Sequence, residues 1–440
     1  MIHTPFLRPN AGETLAPAPE QTPDAAGVRP GATDGPQPQD RRASFLSGIY
    51  ELSPGSSRLR SMEGLRGLAV LLVYFVHTNA IFGAHVRHTP LLRGPSAFLG
   101  TIGNSGVDLF FVLSGFLIYA ALLRHRVGIA SFLRRRVERI YPTFLAVFAL
   151  YLVLSWLFPD ASKIDGRNLG GALFYLMENF LLLPGMVRIR PMITVAWSLS
   201  YEFFFYIAAA LLIAGTRPWT WKARSRVLFI LSVWAGELLY SFSVPSSHVR
   251  LSMFLVGMLL YEALGSESFR GRLRPWGEGA VIALVVATAV FVYLLASESR
   301  LLGSLPGRAS GRDLVPGIFV YQGPYTALAL GVSMFFCAAY ALGAVGKLQK
   351  VFVWTPLRYL GNMSYSFYLI HGVTLQGIGL VADAAIRRGA PGTAVFLLAV
   401  LLGFGAAWLT STVLFAFVEK PLSLQRPMRR VRPEREVVHT

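Results

Sequence analysis

Long apolar runs recur along the chain from residue 64 to residue 418, and most of them are long enough to cross a lipid bilayer as a helix. The runs are continuous and lack the alternation of apolar and polar residues that a membrane barrel requires. A helix in a membrane satisfies its own backbone hydrogen bonds. The pattern therefore predicts an all-α, polytopic membrane helical bundle of about ten transmembrane helices, near 62–83, 103–123, 140–158, 194–214, 227–243, 249–264, 278–297, 323–345, 358–381 and 393–418.

One further apolar stretch, Leu169–Leu183, is shorter and contains Glu178 and Asn179. Basic loops of membrane proteins collect on the cytoplasmic side, and this rule decides how the stretch is placed. If it does not cross, the Arg- and Lys-bearing loops and the basic C-terminus all fall on one side, whereas a crossing would invert the later loops. We therefore predict an interfacial or re-entrant helix here, with both termini cytoplasmic.

The ends of the chain differ in composition from its middle. Residues 1–57 are rich in Pro, Gly, Ala and Gln and show no apolar periodicity, which is typical of a disordered segment. They contain no signal-peptide core, so the first span is expected to act as an uncleaved anchor. We predict a disordered cytoplasmic segment over 1–57, a membrane domain over 58–421 and a basic cytoplasmic tail over 422–440.

Composition agrees with a membrane protein and narrows the chemistry. Hydrophobic residues make up 54% of the chain and charged residues only 15%. The net charge of +18 lies in short runs between the apolar stretches, which topology explains better than nucleic-acid binding. The only cysteine, Cys337, lies in an apolar run, so neither an intramolecular disulfide nor a cysteine-rich metal site is possible. No metal, phosphate-loop or serine-hydrolase motif is present.

Candidate chemistry begins inside the first span. Arg66 and His77 are eleven positions apart, which places them about 20° from each other on one helix face and about 16 Å apart along the axis. Ionisable groups at such depth mark a functional site by default. The second span adds Asp108, which needs a partner and lies at a depth similar to that of His77. Ser114 there, with the glycine that follows it, fits either a site or ordinary close helix packing.

Two later segments carry further polar groups. Arg136 and Arg139 share a helix face just before the third span, where paired guanidinium groups suit phosphates, although topology alone explains much of this basic run. The fourth span begins with Trp197 and Ser198, typical of an interfacial belt, but Glu202 lies too deep for that explanation.

The ninth span contains a polar stripe, Ser364, Tyr368 and His371, at positions i, i+4 and i+7. Taken alone, His371 is more typical of a structural hydrogen bond than of catalysis. With His77, Asp108 and Glu202 at the same outer-middle depth, the set favours a catalytic site. A buried histidine near carboxylates and hydroxyls suits abstraction of a proton from an alcohol.

These motifs together resemble the acyltransferase-3 family of membrane acyltransferases, which includes bacterial O-acetyltransferases of surface polysaccharides. The resemblance covers residues 61 to 421. It is carried by an R-x10-H pair, an F-F-x-x-S-G segment, an R-x-x-R pair, a W-S-L segment followed by a glutamate, and an S-Y-x-x-Y-L-x-H segment. In this chain they are Arg66 and His77; Phe110, Phe111, Ser114 and Gly115; Arg136 and Arg139; Trp197, Ser198, Leu199 and Glu202; and Ser364 through His371.

The resemblance implies an acyl-CoA-dependent O-acyltransferase of a bacterial inner membrane. Its donor is acetyl-CoA or another acyl-CoA, its acceptor is a hydroxyl of a glycan or a lipid-linked glycan, and no metal is needed. It also implies that the first-helix histidine, His77, is essential and that the arginine pair lies near coenzyme A. Some members carry a fused S-G-N-H domain that we do not find here, which leaves open a separate periplasmic partner.

The residues then take expected roles. His77 is the expected general base, oriented or charge-balanced by Asp108 or Glu202, and an acyl-histidine variant stays open. Arg66, Ser114, Arg136 and Arg139 are expected on the donor, and Trp197, Ser198, Ser364 and Tyr368 on the acceptor, with His371 in the catalytic set. The alternative is a proton-coupled transporter or flippase for a glycan or lipid, which also buries histidines and carboxylates along its pathway.

Overall fold

The computed structural model describes residues 46–52, 57–86, 89–125, 128–164, 166–244, 248–303, 323–343 and 346–424. This part of the chain is helical and contains no β-strand. The predicted terminal segments, 1–57 and 422–440, lie for the most part outside the described residues.

After a helical segment at residues 46–50, fourteen α-helices follow one another in the described ranges, the ninth of them interrupted by non-helical backbone at Gly277. The first seven are α1 (Ser57–Phe82), α2 (Pro90–Ile102), α3 (Ser105–His125), α4 (Ile129–Leu157), α5 (Leu169–Phe180), α6 (Trp197–Thr216) and α7 (Ala223–Ser243). The others are α8 (Ser252–Gly265), α9 (Glu267–Gly303), α10 (Pro324–Gly343), α11 (Lys347–Phe352), α12 (Thr355–Asn362), α13 (Ser364–Arg387) and α14 (Gly392–Leu414). A π-helix, Phe415–Leu424, continues α14 to the end of the described chain.

The number of crossings follows from where the two ends of this bundle meet. Nine helical segments of the described chain are long and apolar enough to cross a membrane, and a tenth exists if Val249–Gly265 and Glu267–Leu273, bent by 96°, form one span. The Lys420 ammonium donates hydrogen bonds of 2.7 Å to the carbonyls of Gly48 and Ile49. The segment before the first span and the end of the last span therefore meet at one face of the bundle. A chain that enters and leaves at the same face crosses an even number of times. The predicted all-α membrane bundle of about ten transmembrane helices is confirmed.

The short helix α5 agrees with the sequence prediction for Leu169–Leu183. It has 12 residues and is about 18 Å long, too short to cross a bilayer of about 30 Å. Asn168 caps its first turn by accepting a hydrogen bond from the Gly171 amide at 2.7 Å.

Two predicted boundaries differ from the structure. Helix α4 begins at Ile129 rather than at residue 140, because a helix continues beyond the apolar stretch into its basic flank, where Arg134 and Glu138 pair one turn apart at 2.9 Å. The predicted span 358–381 is instead two helices, α12 and α13, separated at Met363.

Small residues hold the central helices close together. A Cβ added at Gly115 of α3 would collide with the backbone carbonyl of Phe254, and one added at Gly257 of α8 would collide with that of Val112. The contact between α3 and α8 is the most extensive helix pair in the bundle. Gly115 is therefore a packing residue, as the simpler interpretation of its motif predicted.

Candidate active site

Two histidines from different helices meet inside the bundle. Nε2 of His371, on α13, lies 3.3 Å from Nδ1 of His77, on α1, with the ring centroids 4.8 Å apart. His371 is fully buried, whereas His77 is only partly buried. The expectation that these two residues lie together is met, although they are 294 positions apart in the chain.

The backbone around each ring fixes its protonation pattern in the neutral state. Nδ1 of His371 lies 2.9 Å from the Phe367 carbonyl, and Nδ1 of His77 lies 2.8 Å from the Val73 carbonyl. A carbonyl only accepts, so each Nδ1 carries the proton and each Nε2 keeps its lone pair. His371 Nε2 then accepts from the His77 Nδ1–H, which it shares with Val73. His77 Nε2 makes no hydrogen bond to any part of the chain that the structure describes, and its lone pair is left for a ligand.

Tyr368 and Ser198 lie next to the histidine pair, on the side of the segment that joins α4 to α6. The Tyr368 hydroxyl is 2.7 Å from the Ser198 hydroxyl, and it donates to the Val195 carbonyl at 3.0 Å. Its ring lies 6.2 Å from that of His371, centroid to centroid. Sequence reasoning assigned both hydroxyls to the acceptor side, and the structure brings them together across α6 and α13.

Asp108 does not contact His77, contrary to expectation. Its carboxylate lies 3.3 Å from Nε of Arg250, in a pair that is almost fully buried. The Arg250 guanidinium carbon lies 5.1 Å from the centroid of the Trp197 ring, over its face. A positive partner within the bundle satisfies the carboxylate better than a neutral imidazole. Asp108 is thus removed from the role of orienting His77, which a second histidine fills.

Glu202 lies deeper, between the histidine pair and the basic rim. One of its oxygens accepts from the Ser114 hydroxyl at 3.2 Å and from the Tyr206 hydroxyl. Tyr368 and Arg66 both interact with it electrostatically. Ser114 therefore has a polar partner of its own while its neighbouring glycine packs. Glu202 makes no contact with His77 in the described part of the structure, so neither expected carboxylate orients that ring.

Arg66 lies about three helical turns from His77 on α1, on the side of the basic rim. Its Nη2 donates to the buried Ser364 hydroxyl at 2.9 Å. Arg139 and Glu419 lie near enough to interact with it electrostatically. Ser364, which sequence reasoning placed on the acceptor side, is thus a partner of the donor-side arginine.

Arg136 and Arg139 extend from the second and third turns of α4. Arg139 pairs with the fully buried carboxylate of Glu419 at 2.9 Å, and its guanidinium lies over the Tyr365 ring. Arg136 lies over the rings of Phe132 and Tyr206, 5.2 and 5.6 Å from their centroids. Nε of Arg136 and Nη1 of Arg139 are buried and have no hydrogen-bond partner among the described residues. Orphaned guanidinium donors of this kind fit an anionic ligand such as a phosphate.

Sequence reasoning missed three residues of this site. Glu419 closes the arginine pair and also accepts from the amide and hydroxyl of Ser366, at 3.0 and 2.6 Å. It lies one residue beyond the predicted end of the last span, and an acid at that boundary was the available signal. Tyr206 stands one turn after Glu202. Arg250 stands at the start of the sixth span, where its charge was the signal.

The whole arrangement is a ladder of polar groups through the bundle. Arginines stand at one end, Glu202 with its hydroxyl partners in the middle, and the histidine pair at the other. Such a ladder is able to hold an anion at one face and to remove a proton near the other. Within the described residues no group of three or more histidine, cysteine or acidic side chains is placed to hold a metal ion.

Comparison with known proteins gives this ladder a context. Residues 59–412 match the model of the acyltransferase-3 domain family, described as an acyltransferase domain. The chain is 28% identical over 339 residues to the exopolysaccharide production protein ExoZ of Rhizobium meliloti (strain 1021), an alignment that covers 75% of this chain and 93% of ExoZ. It is 27% identical over 334 residues to the acyltransferase MdmB of Streptomyces mycarofaciens, covering 74% and 81%.

A more distant relative extends the comparison. The chain is 23% identical over 385 residues to the O-acetyltransferase OatA of Staphylococcus aureus (strain NCTC 8325 / PS 47), covering 83% of this chain and 57% of OatA. No solved structure matches the chain.

Proposed function

Since this chain belongs to the acyltransferase-3 family of multi-pass membrane acyltransferases, we propose that it moves an acyl group, acetyl in the first instance, from acyl-CoA to a hydroxyl of a glycan or lipid-linked glycan. The observation that supports this proposal is Nε2 of His77, which no described residue binds, on a ring whose Nδ1 lies 3.3 Å from Nε2 of His371. The membrane is the inner membrane of a bacterium, with both chain ends cytoplasmic, as the placement of the basic loops indicates.

His77 Nε2 is the general base. It takes the proton of the acceptor hydroxyl while the hydroxyl oxygen forms the new ester bond, and the carbon–sulfur bond of the thioester breaks. The proton then passes from His77 to the leaving thiolate. As His77 becomes positively charged, His371 Nε2 accepts more strongly from its Nδ1–H, so the second histidine stabilises the charge that develops. This assigns a positioning role to His371.

The donor enters from the face where the two ends of the bundle meet. Arg136 and Arg139 hold its phosphates through their free guanidinium donors, and Arg66 lies between them and Glu202, where the pantetheine arm runs. The acyl group then reaches the histidine pair from the cytoplasmic side. The acceptor hydroxyl approaches from the opposite side, past Tyr368 and Ser198. A separate periplasmic protein that presents the acceptor is compatible with this arrangement.

The test separates donor binding from transfer. The full chain, purified in detergent, is incubated with radiolabelled acetyl-CoA and a membrane extract as acceptor source, and labelled glycan or lipid is counted. The parent should transfer label, and His77→Gln should not, while acetyl-CoA binding by calorimetry stays unchanged. A His77→Gln protein that transfers at the rate of the parent contradicts the proposal, and so does a parent that transports an intact glycan without acyl transfer.

A further inference from the structure

The loop between α4 and α6, residues 158–196, carries a cluster of cations on the face opposite to Arg136. Helix α4 has 29 residues and is about 43 Å long, so its two ends lie on different sides of the membrane. The loop contains four basic residues, Lys163, Arg167, Arg188 and Arg190, of which the three arginines are exposed. Basic residues collect on the other face of membrane proteins, so topology does not explain this cluster.

Arg167 and Arg190 converge on one aromatic residue. The Arg167 guanidinium carbon lies 4.4 Å from the centroid of the buried Tyr175 ring, and both arginines interact with Tyr175 electrostatically. The Tyr175 hydroxyl has no hydrogen-bond partner of good geometry in the part of the chain that the structure describes. The amide of Asn179 beside it is committed to the Tyr175 carbonyl and to the Met192 N–H.

Lys163 holds the part of the loop that follows Arg190. Its ammonium donates to the carbonyls of Pro191 and Met192 and to the Thr194 hydroxyl, at 2.7, 3.0 and 3.2 Å. Burial, and after it the charge of Arg190, lower the pKa of Lys163 to about 8. Because Lys163 binds the two carbonyls that follow Arg190, the loop holds two cations close together, and closely spaced cations attract an anion.

The surface next to this cluster is apolar. Helix α5 exposes Leu169, Leu173, Phe174 and Met177, with 76, 59, 58 and 47% of their surfaces accessible. A short helix with such a face lies in the membrane interface with that face in the lipid. Cations at headgroup level beside an apolar helix suit a ligand that has both a phosphate and a lipid chain.

The connection between this loop and the histidine pair indicates which kind of lipid binds here. Arg190 lies two residues before Met192, which Asn179 of α5 holds, and five residues before Val195, whose carbonyl accepts from Tyr368. A phosphate at Arg190 is therefore five residues along the chain from the carbonyl that binds Tyr368, whose ring neighbours that of His371. Bulk lipid would need no such connection.

We propose that Arg167 and Arg190, beside the apolar face of α5, bind the phosphate group of a lipid-linked acceptor and so present its sugar to His77. That this lipid is the acceptor rests on the proposed function. The phosphate site itself rests on the loop. Arg188 contributes to the local potential rather than to the contact.

The experiment measures binding without any acyl donor. The full chain in neutral detergent is titrated with a polyprenyl monophosphate, and bound lipid is counted by native mass spectrometry. Parallel titrations use the matching polyprenol, which lacks the phosphate, and dioleoylphosphatidylglycerol, which represents bulk anionic lipid. The variant is Arg167→Gln/Arg190→Gln, and Lys222→Gln/Arg224→Gln removes the same charge from exposed positions on the opposite face.

We expect the parent to bind the polyprenyl phosphate at least tenfold more tightly than either comparison lipid. The Arg167/Arg190 variant should lose at least tenfold, the Lys222/Arg224 control should stay within twofold, and Arg167→Lys/Arg190→Lys should recover part of the loss. Equal binding of phosphatidylglycerol, an unaltered Arg167/Arg190 variant, or an equal loss in the control would each overturn the proposal. Failure of the proposed function would show separately, as binding that persists in a protein with no acyl transfer.

Discussion

Two polar pairs inside the bundle, His77–His371 and Asp108–Arg250, differ in whether they leave an atom free to bind a ligand. Both join chain segments that are distant in sequence. His77, His371 and Asp108 were candidates for the same catalytic set, whereas Arg250 was not. In the ion pair a carboxylate faces a guanidinium at 3.3 Å, and each is about 2% exposed. In the histidine pair every polar atom is committed except Nε2 of His77, which belongs to the more exposed ring.

This difference separates structure from chemistry. Charges buried together stabilise little on balance, but removing one partner strands the other, so such a pair locks helices in place. A neutral histidine pair tolerates desolvation and still offers a lone pair near neutral pH. Arg250 also lies over the Trp197 ring, so the ion pair contacts the start of α6 as well.

The largest effect should follow from removing the base. His77→Ala is expected to reduce acyl transfer by about 10²–10⁴-fold, the usual contribution of a general base, while acyl-CoA binding and folding are retained. Transfer by the parent should rise with pH through one ionisation that is missing from the residual activity of the variant. His371→Ala, the matched change on the other ring, should be milder, because it leaves Nε2 of His77 in place. A well-folded His77→Ala protein with parental transfer rates would move the base to His371 or Glu202.

Changes to the Asp108–Arg250 ion pair should lower the stability of the fold rather than the rate of acyl transfer. Asp108→Asn leaves Arg250 buried without its charge partner and is expected to lower the free energy of unfolding by about 3–5 kcal/mol. The double variant Asp108→Leu/Arg250→Met should recover most of this loss, because neither charge is then stranded. Thermal unfolding in detergent measures both, and transfer per folded molecule is measured alongside. Equal stability of the single and double variants would show that the pair does not act as a lock.

Variants of the arginines at the donor end test whether the polar ladder forms one site. Arg136→Ala should weaken acyl-CoA binding by about 1.5–3 kcal/mol, the value of one hydrogen bond to a charged group, and Arg136→Lys should restore only part because it lacks the planar fork. Arg134→Ala is the matched control on the same helix, since Arg134 is exposed and pairs with Glu138. Arg139→Ala is less clean, because it also strands Glu419. If the Arg134 and Arg136 variants bind the donor alike, the phosphates lie elsewhere.

The last prediction concerns which side of the membrane each pair faces. It involves no change in free energy and is tested with reporter fusions. If the histidine pair lies in the half away from the cytoplasm, reporters fused after Gly185 and after Arg226 should report opposite sides, with Arg226 cytoplasmic. Identical reports from the two fusions would contradict the ten-span topology.

Much of the fold was predictable because a bilayer imposes simple rules. Apolar runs long enough to cross the bilayer must be helices. The distribution of Arg and Lys between the loops predicted that α5 does not cross the membrane. The sequence also predicted that His77, Glu202 and His371 belong to one polar interior, since ionisable residues at that depth have few alternatives. Errors occurred at boundaries: α4 starts before its apolar stretch, and the ninth span is divided at Met363.

Only the tertiary structure decided which polar group contacts which. Depth along a helix follows from residue count, whereas the neighbour across a helix interface depends on how the helices rotate and pack. The sequence pattern therefore led us to expect Asp108 beside His77, whereas the structure pairs it with Arg250. Nothing in the sequence indicated that Arg139 pairs with Glu419. The carbonyls that bind Nδ1 of His77 and of His371 lie one turn earlier in the same helices, so each helix supplies that contact by itself. The contact between the two rings exists only once α1 and α13 are side by side.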